Sequence, residues 1–102
     1  MKIKEGASIA GLKISMRKAL IEAEALWKEY GQELEIRTGL DGIHSAGSLH
    51  YYGYAVDLRT SYFDEAEKSG IAAALKSRLG EEFDVIIRKT HIHVELDAAK
   101  YL

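Results

Sequence analysis

From Ser15 to Tyr30 the apolar residues Met16, Ala19, Leu20, Ala23, Leu26, Trp27 and Tyr30 recur at i, i+3, i+4 and i+7. That period predicts an amphipathic helix. A helix of this kind is held mainly by burying its apolar stripe, so the rest of the chain must supply a surface to cover it. Ser15 is the expected N-cap and Gly31 the expected residue just past the C-terminus. Trp27 and Tyr30 are expected in the core, as helical spacing implies. A second helix is predicted from Asp64 to Leu79, with Ile71, Ala74, Leu75 and Leu79 on its buried side. Asp64 can cap it, Glu67 stands three residues on as in a capping box, and Gly80 ends it.

The covering surface has to come from short strands. Glu33 to Thr38 alternates, with Leu34 and Ile36 on one side and Glu35 and Arg37 on the other. Tyr52 to Leu58 is a second strand, and Phe83–Ile87 and Thr90–Leu96 form a hairpin through a tight Arg88-Lys89 connection. The first dozen residues read as an extended lead-in, and Gly39 to Leu49, rich in Gly, Ser, Asp and His, as an irregular loop. The order helix, strand, strand, helix, strand, strand predicts an α+β fold: a small, mainly antiparallel sheet with two helices on one face. A length of 102 residues leaves too little chain for a second core, so one domain is expected over 1–102.

Composition narrows the partners. The hydrophobic set is 47% and the charged set 29%, which argues against disorder. The net charge of −2 gives no electrostatic reason to expect nucleic acid or an anionic membrane. With no cysteine, disulfides, thiolate metal sites and cysteine nucleophiles are excluded. The N-terminus lacks an apolar run fit for a signal peptide, and no stretch is long enough to span a bilayer. A protein cytoplasmic as made is therefore expected, reaching the exterior by lysis, a dedicated secretion route or a partner.

The chemistry gathers in two segments. Ser48-Leu49-His50-Tyr51-Tyr52-Gly53-Tyr54-Ala55-Val56-Asp57 puts a histidine in a loop and an aspartate in the strand that follows. His91-Ile92-His93-Val94-Glu95 places His91, His93 and Glu95 on one face of a strand, because alternate residues point the same way. Two imidazoles and a carboxylate can make three ligands around Zn²⁺ and leave a fourth position open. An alternating H-x-H pair is also, on its own, a common solvated or hydrogen-bonded pair. Asp57 alone can be a strand-end carboxylate, and Tyr51, Tyr52 and Tyr54 can either stack on a flat ligand or pack around the loop. No phosphate loop of the G-x-x-x-x-G-K-[ST] type is present. A Ser48/His44/Asp57 triad would lack the G-x-S-x-G nucleophile elbow.

Ser48, His50, Gly53, Ala55 and Asp57, followed late in the chain by His91-Ile92-His93, resemble the signature of the zinc D-Ala-D-Ala peptidase family. That group holds D,D-carboxypeptidases, D,D-dipeptidases and phage L-alanyl-D-glutamate endolysins, and shares a fold with the hedgehog signalling domain. The likeness covers nearly the whole chain. It is strongest to a branch of small single-domain phage and bacterial proteins, through Asp41–His50, Ala55–Thr60 and His91–Glu95. The resemblance implies that His50, Asp57 and His93 are zinc ligands. It implies that His91 helps hold the oxyanion or the substrate, and that Ser48 supports the site by hydrogen bonding. Arg37, just before the loop, would hold a substrate carboxylate or else stand as a solvated charge. The expected substrate is a peptidoglycan stem peptide, cut beside a D-amino acid.

One departure cuts across that expectation. The family's general base, a Glu or Asp three residues before the last zinc-binding histidine, is replaced by Thr90. The similar branch carries a second acidic residue at the position of Arg88. A threonine hydroxyl has no useful basicity near neutral pH, and losing a positioned base forfeits on the order of 10²–10⁴ in rate. Glu95 and His91 are the candidate replacements. The expectations are therefore a zinc peptidase with a weak or relocated base, a zinc-binding module that binds a peptide or protein without cutting it, or a structural protein whose former ligands are only hydrogen-bonded.

Overall fold

The protein is described here from a computed structural model, which places residues 1–4, 13–38 and 54–97. The elements run β1 (Lys2–Ile3), α1 (Ile14–Glu29), β2 (Glu35–Thr38), β3 (Ala55–Arg59), α2 (Glu65–Leu79), β4 (Phe83–Ile87) and β5 (His91–Leu96). The strands form one sheet in the order β1-β2-β3-β5-β4. Neighbours pair antiparallel except β1 and β2, which are parallel. The fold is thus α+β, with two helices and a mixed, mostly antiparallel sheet.

Burial follows the two periods. β5 alternates, with Ile92, Val94 and Leu96 buried and His91, His93 and Glu95 half-exposed. Ile36, Val56 and Leu58 join the buried side and meet α1 through Met16, Ala19, Leu20, Ala23, Leu26 and Trp27, and α2 through Ile71, Leu75 and Leu79, in one apolar cluster. Trp27 is fully buried, and its indole N–H donates to the Arg59 carbonyl at 3.1 Å, which pins α1 to the end of β3. That bond satisfies the one polar atom an indole brings into a core.

Several local expectations need correction. Ser15 is not the N-cap of α1. The cap position is Lys13, which makes no side-chain capping bond. Tyr30 is 37% exposed rather than core, and meets Phe63 edge-on with ring centroids 5.9 Å apart. The lead-in is partly a strand, because Lys2 N–H donates to Leu34 O at 2.7 Å and Lys4 N–H to Ile36 O at 2.9 Å. β3 starts at Ala55 and reaches Arg59, while residues 52 and 53 of the expected strand lie outside the described residues. The hairpin bends through Arg88–Thr90, and Arg88 N–H donates to His91 O at 2.8 Å.

Other local signals hold. Asp64 accepts from the Glu67 N–H at 2.7 Å while the Glu67 carboxylate accepts from the Asp64 N–H at 3.0 Å, a complete capping box on α2. Gly31 follows the C-cap of α1 with φ of 79°, a conformation that favours glycine. α2 also anchors the hairpin. Lys68, buried on its inner side, donates to the Lys89 carbonyl at 3.2 Å and pairs with Glu65 at 2.9 Å. Lys76 donates to the carbonyls of Gly80 and Phe83. Both ammonium groups are therefore satisfied where burial would otherwise be costly.

Candidate metal centre

The sheet face turned away from the apolar cluster carries the described candidates Arg37, Asp57, His91, His93 and Glu95. Directly opposed residues on antiparallel strands point the same way, so the register fixes who meets whom. Across β3, β5 and β4 the face has three rows. One holds Arg59, His91 and Arg88, the next Asp57, His93 and Ile86, and the third Ala55, Glu95 and Asp84. The histidine strand sits in the middle of each row.

The central row is the tightest. His93 Nδ1 lies 2.9 Å from Asp57 Oδ1, and His93 Nε2 lies 3.1 Å from Glu95 Oε1. His91 Nε2 stands 3.7 Å from the same Asp57 oxygen, too long for a hydrogen bond but close enough for attraction between charges. Side-chain exposures are 14% for Asp57, 17% for His93, 23% for Glu95 and 30% for His91, so the group is half-sunk rather than solvated. Thr90 is exposed, with its hydroxyl 3.4 Å from His91 Nδ1.

The two histidines are pulled in opposite directions. His93 is raised above its ordinary 6.5, first by the hydrogen bond to Asp57 and further by the charges of Asp57 and Glu95, against the cost of burial. His91 is lowered from 6.5, mainly by burial and also by His93, Arg37 and Arg88, although Asp57 opposes this. Without a metal, His93 is the group that holds a proton between two carboxylates. His91 favours the neutral imidazole, which can both donate and accept.

Arg37 shares this face by alternation, since its neighbour Ile36 on β2 is buried in the apolar cluster. Ile36 pairs with Leu58 but Thr38 pairs with Asp57, so β2 holds one residue more than β3 over that step. Such a bulge re-aims a side chain and is common beside functional sites. Arg37 sits at that irregular step, and its charge is felt by His91. Ser48 and His50, together with His44, Tyr51 and Tyr52, lie outside the described residues. Tyr54 is half-buried against the apolar cluster, with Lys13 Nζ 5.7 Å from its ring centre. Arg59 and Asp84 were not singled out from the sequence, and Arg88 only as a departure from the family pattern. Their place on the face depends on the pairing of β4 and β3 with β5, which only the alternation of the hairpin hints at.

Among the described residues no group of three or more His, Asp or Glu side chains is arranged to hold an ion. The Asp57–His93 pair nonetheless suits one. Two ligand atoms on a tetrahedral zinc at about 2.0–2.1 Å stand roughly 3.3 Å apart. The observed 2.9 Å contact needs to widen by only a few tenths of an ångström for a metal to replace the shared proton. Glu95 on Nε2 is the partner that a metal-binding imidazole commonly uses to fix its tautomer and orientation. A cavity of about 370 Å³ lined by Met1, Glu24, Lys28, Gly31, Gln32, Glu33 and Leu34 shares no residue with this face. No protein-family model matches the chain.

Proposed function

We propose that this chain is a zinc-dependent, peptidase-like protein of the hedgehog/DD-peptidase type, acting on peptidoglycan stem peptides beside a D-amino acid. The observation that carries the reading is the 2.9 Å contact between Asp57 and His93, buttressed by Glu95 at 3.1 Å. His50, Asp57 and His93 would hold the ion. A bound zinc supplies a Lewis acid for the scissile carbonyl and an acidified water.

The chain's own side chains do the rest. Asp57 and Glu95 fix the His93 ring from both nitrogens, so its orientation is set before a ligand arrives. His91, kept neutral by burial and by the arginines, can donate from its ring N–H to a peptide oxygen. Arg37, at the irregular step of β2, can take a carboxylate through its planar fork. The proton of the attacking water is the weak point. Thr90 cannot accept it, and Glu95 is already engaged by His93. Neutral His91 is the acceptor left on the described face. Hydrolysis is therefore expected to run on the order of 10²–10⁴ below that of a site with a placed carboxylate. The same gap favours a second reading, in which the centre binds zinc and a peptide or protein partner without cutting it.

The experiment is metal analysis of the purified protein, followed by stem-peptide hydrolysis with and without a chelator. About one zinc per chain with chelator-sensitive cleavage is expected. Thr90→Asp should raise that cleavage by at least tenfold, the lower reach of a restored general base. Bound zinc with no gain from Thr90→Asp selects the binding role. Absence of bound zinc ends the metal reading.

A further inference from the structure

β4 stands at one end of the sheet, with β5 on one side of it and no described strand on the other. The opposite end is β1, which is only two residues long and so offers little to pair with. The bonds from Arg88 N–H to His91 O and from Asp97 N–H to Glu82 O fix which way the β4 backbone faces. Hydrogen-bonded residues alternate along an antiparallel ladder, so Glu82, Asp84, Ile86 and Arg88 turn their peptide groups to β5. Phe83, Val85 and Ile87 turn theirs outward. Phe83 is already used: its carbonyl accepts from Lys76 and its N–H donates to Gly80 O at 3.4 Å. The outward N–H and C=O groups of Val85 and Ile87 meet no partner among the described residues. The side chains there are apolar, with Val85 and Ile86 half-buried and Ile87 44% exposed. No proline, lysine or bulge interrupts Phe83–Ile87, devices that commonly keep such an edge apart.

Charge decides what fits this edge. The segment enters acidic, at Glu82 and Asp84, and leaves basic, at Arg88 and Lys89. Asp84 faces Glu95 across the ladder, carboxylate opposite carboxylate, and neither Asp84 nor Arg88 makes an ion pair among the described residues. We propose that the β4 edge binds the same edge of a second copy of this chain, antiparallel and centred on Ile86. In that register Val85 exchanges both backbone bonds with the partner's Ile87, and Ile87 with the partner's Val85, so the outward groups of both are paired. Ile86 meets the partner's Ile86, and Asp84 meets the partner's Arg88 at each end of the contact. An in-register parallel alignment would instead set like charges together. The contact is isologous and β1 cannot repeat it, so assembly closes at two copies. His93, Ile86, the partner's Ile86 and the partner's His93 then fall in one row. The two His93 residues share one face of a continuous sheet, three strand spacings or roughly 14 Å apart. This pairing goes beyond the proposed function and holds whether or not the centre takes a metal.

Sedimentation equilibrium of the full chain, followed up to millimolar concentration, tests the pairing. A reversible monomer–dimer equilibrium is expected, without larger species. Asp84→Arg and Arg88→Asp should each weaken it about tenfold, because each sets like charges against one another at both ends of the contact. An equimolar mixture of the two variants should associate again, since one copy then carries arginine at both positions and the other aspartate. Ile87→Lys should leave the protein monomeric by placing an ammonium against the partner's Val85. Circular dichroism and thermal melts of each variant report whether the fold is kept, and recovery in the mixture is a gain that unfolded chains cannot show. A monomer at every concentration, open-ended assembly, a dimer that tolerates Ile87→Lys, or a mixture no more associated than its components would overturn the edge pairing.

Discussion

His93 and His91 depart from the same ordinary value of 6.5 in opposite directions, and the sign of each has a consequence. The folded state raises His93, so in metal-free protein its contribution to stability is complete below 6.5 and is lost as pH climbs through the raised value. The folded state lowers His91, so the unfolded chain binds more protons between that lowered value and 6.5. Stability from this residue therefore falls as pH drops through that window. The two contributions together favour a maximum near pH 6.5. Thermal melts of metal-free protein from pH 5 to 8 should show it, with His93→Gln flattening the alkaline limb and His91→Gln the acidic one. The proposed zinc would have to displace the proton on His93, so its affinity should rise with pH over the same alkaline window. At this scale the sequence was informative in part. The alternation of His91, His93 and Glu95 declared a shared face, because side chains in a strand alternate whatever the partner strand does. The contact of His93 with Asp57 joins residues 36 apart and depends on a register that no local pattern encodes.

α2 and α1 differ at their N-termini, and the difference is measurable. Asp64 closes a reciprocal box with Glu67, so Asp64→Ala should cost about 1 kcal/mol in denaturant unfolding. Ser15 lies inside α1 rather than at its cap, and Ser15→Ala should change stability by no more than about 0.5 kcal/mol. Both positions carry a side chain suited to capping, and only the box, which needs two residues at the right spacing, gave the true boundary. The helices and the hairpin strands were legible because their apolar periods are long enough to count. β1 was not, since a two-residue strand with both side chains exposed leaves no burial pattern to read. The bulge in β2 was equally hidden, because one extra residue in a short strand alters no apolar spacing. Its effect is that Thr38, rather than Arg37, becomes the pairing partner of Asp57.

Over the whole molecule, β5 is flanked by β3 and β4 along its full length, and its inner residues Ile92, Val94 and Leu96 are buried in the apolar cluster. Its amides should therefore be among the slowest to exchange with deuterium, opening only with global unfolding, while those of β1 exchange early. Fast exchange at Ile92 and Val94 in otherwise folded protein would contradict this arrangement. The α+β class was legible from element order, because two amphipathic helices and a set of short alternating segments have few ways to bury each other. The placement of chemistry on the opposite side of the same strand carries one more implication. His91, His93 and Glu95 are interleaved, residue by residue, with side chains that keep the molecule folded. A guest on this face cannot recruit a moving strand to improve its fit. Accommodation has to come from rotamers of long side chains such as Arg37 and Arg88, which makes the platform a rigid anvil with pliable edges.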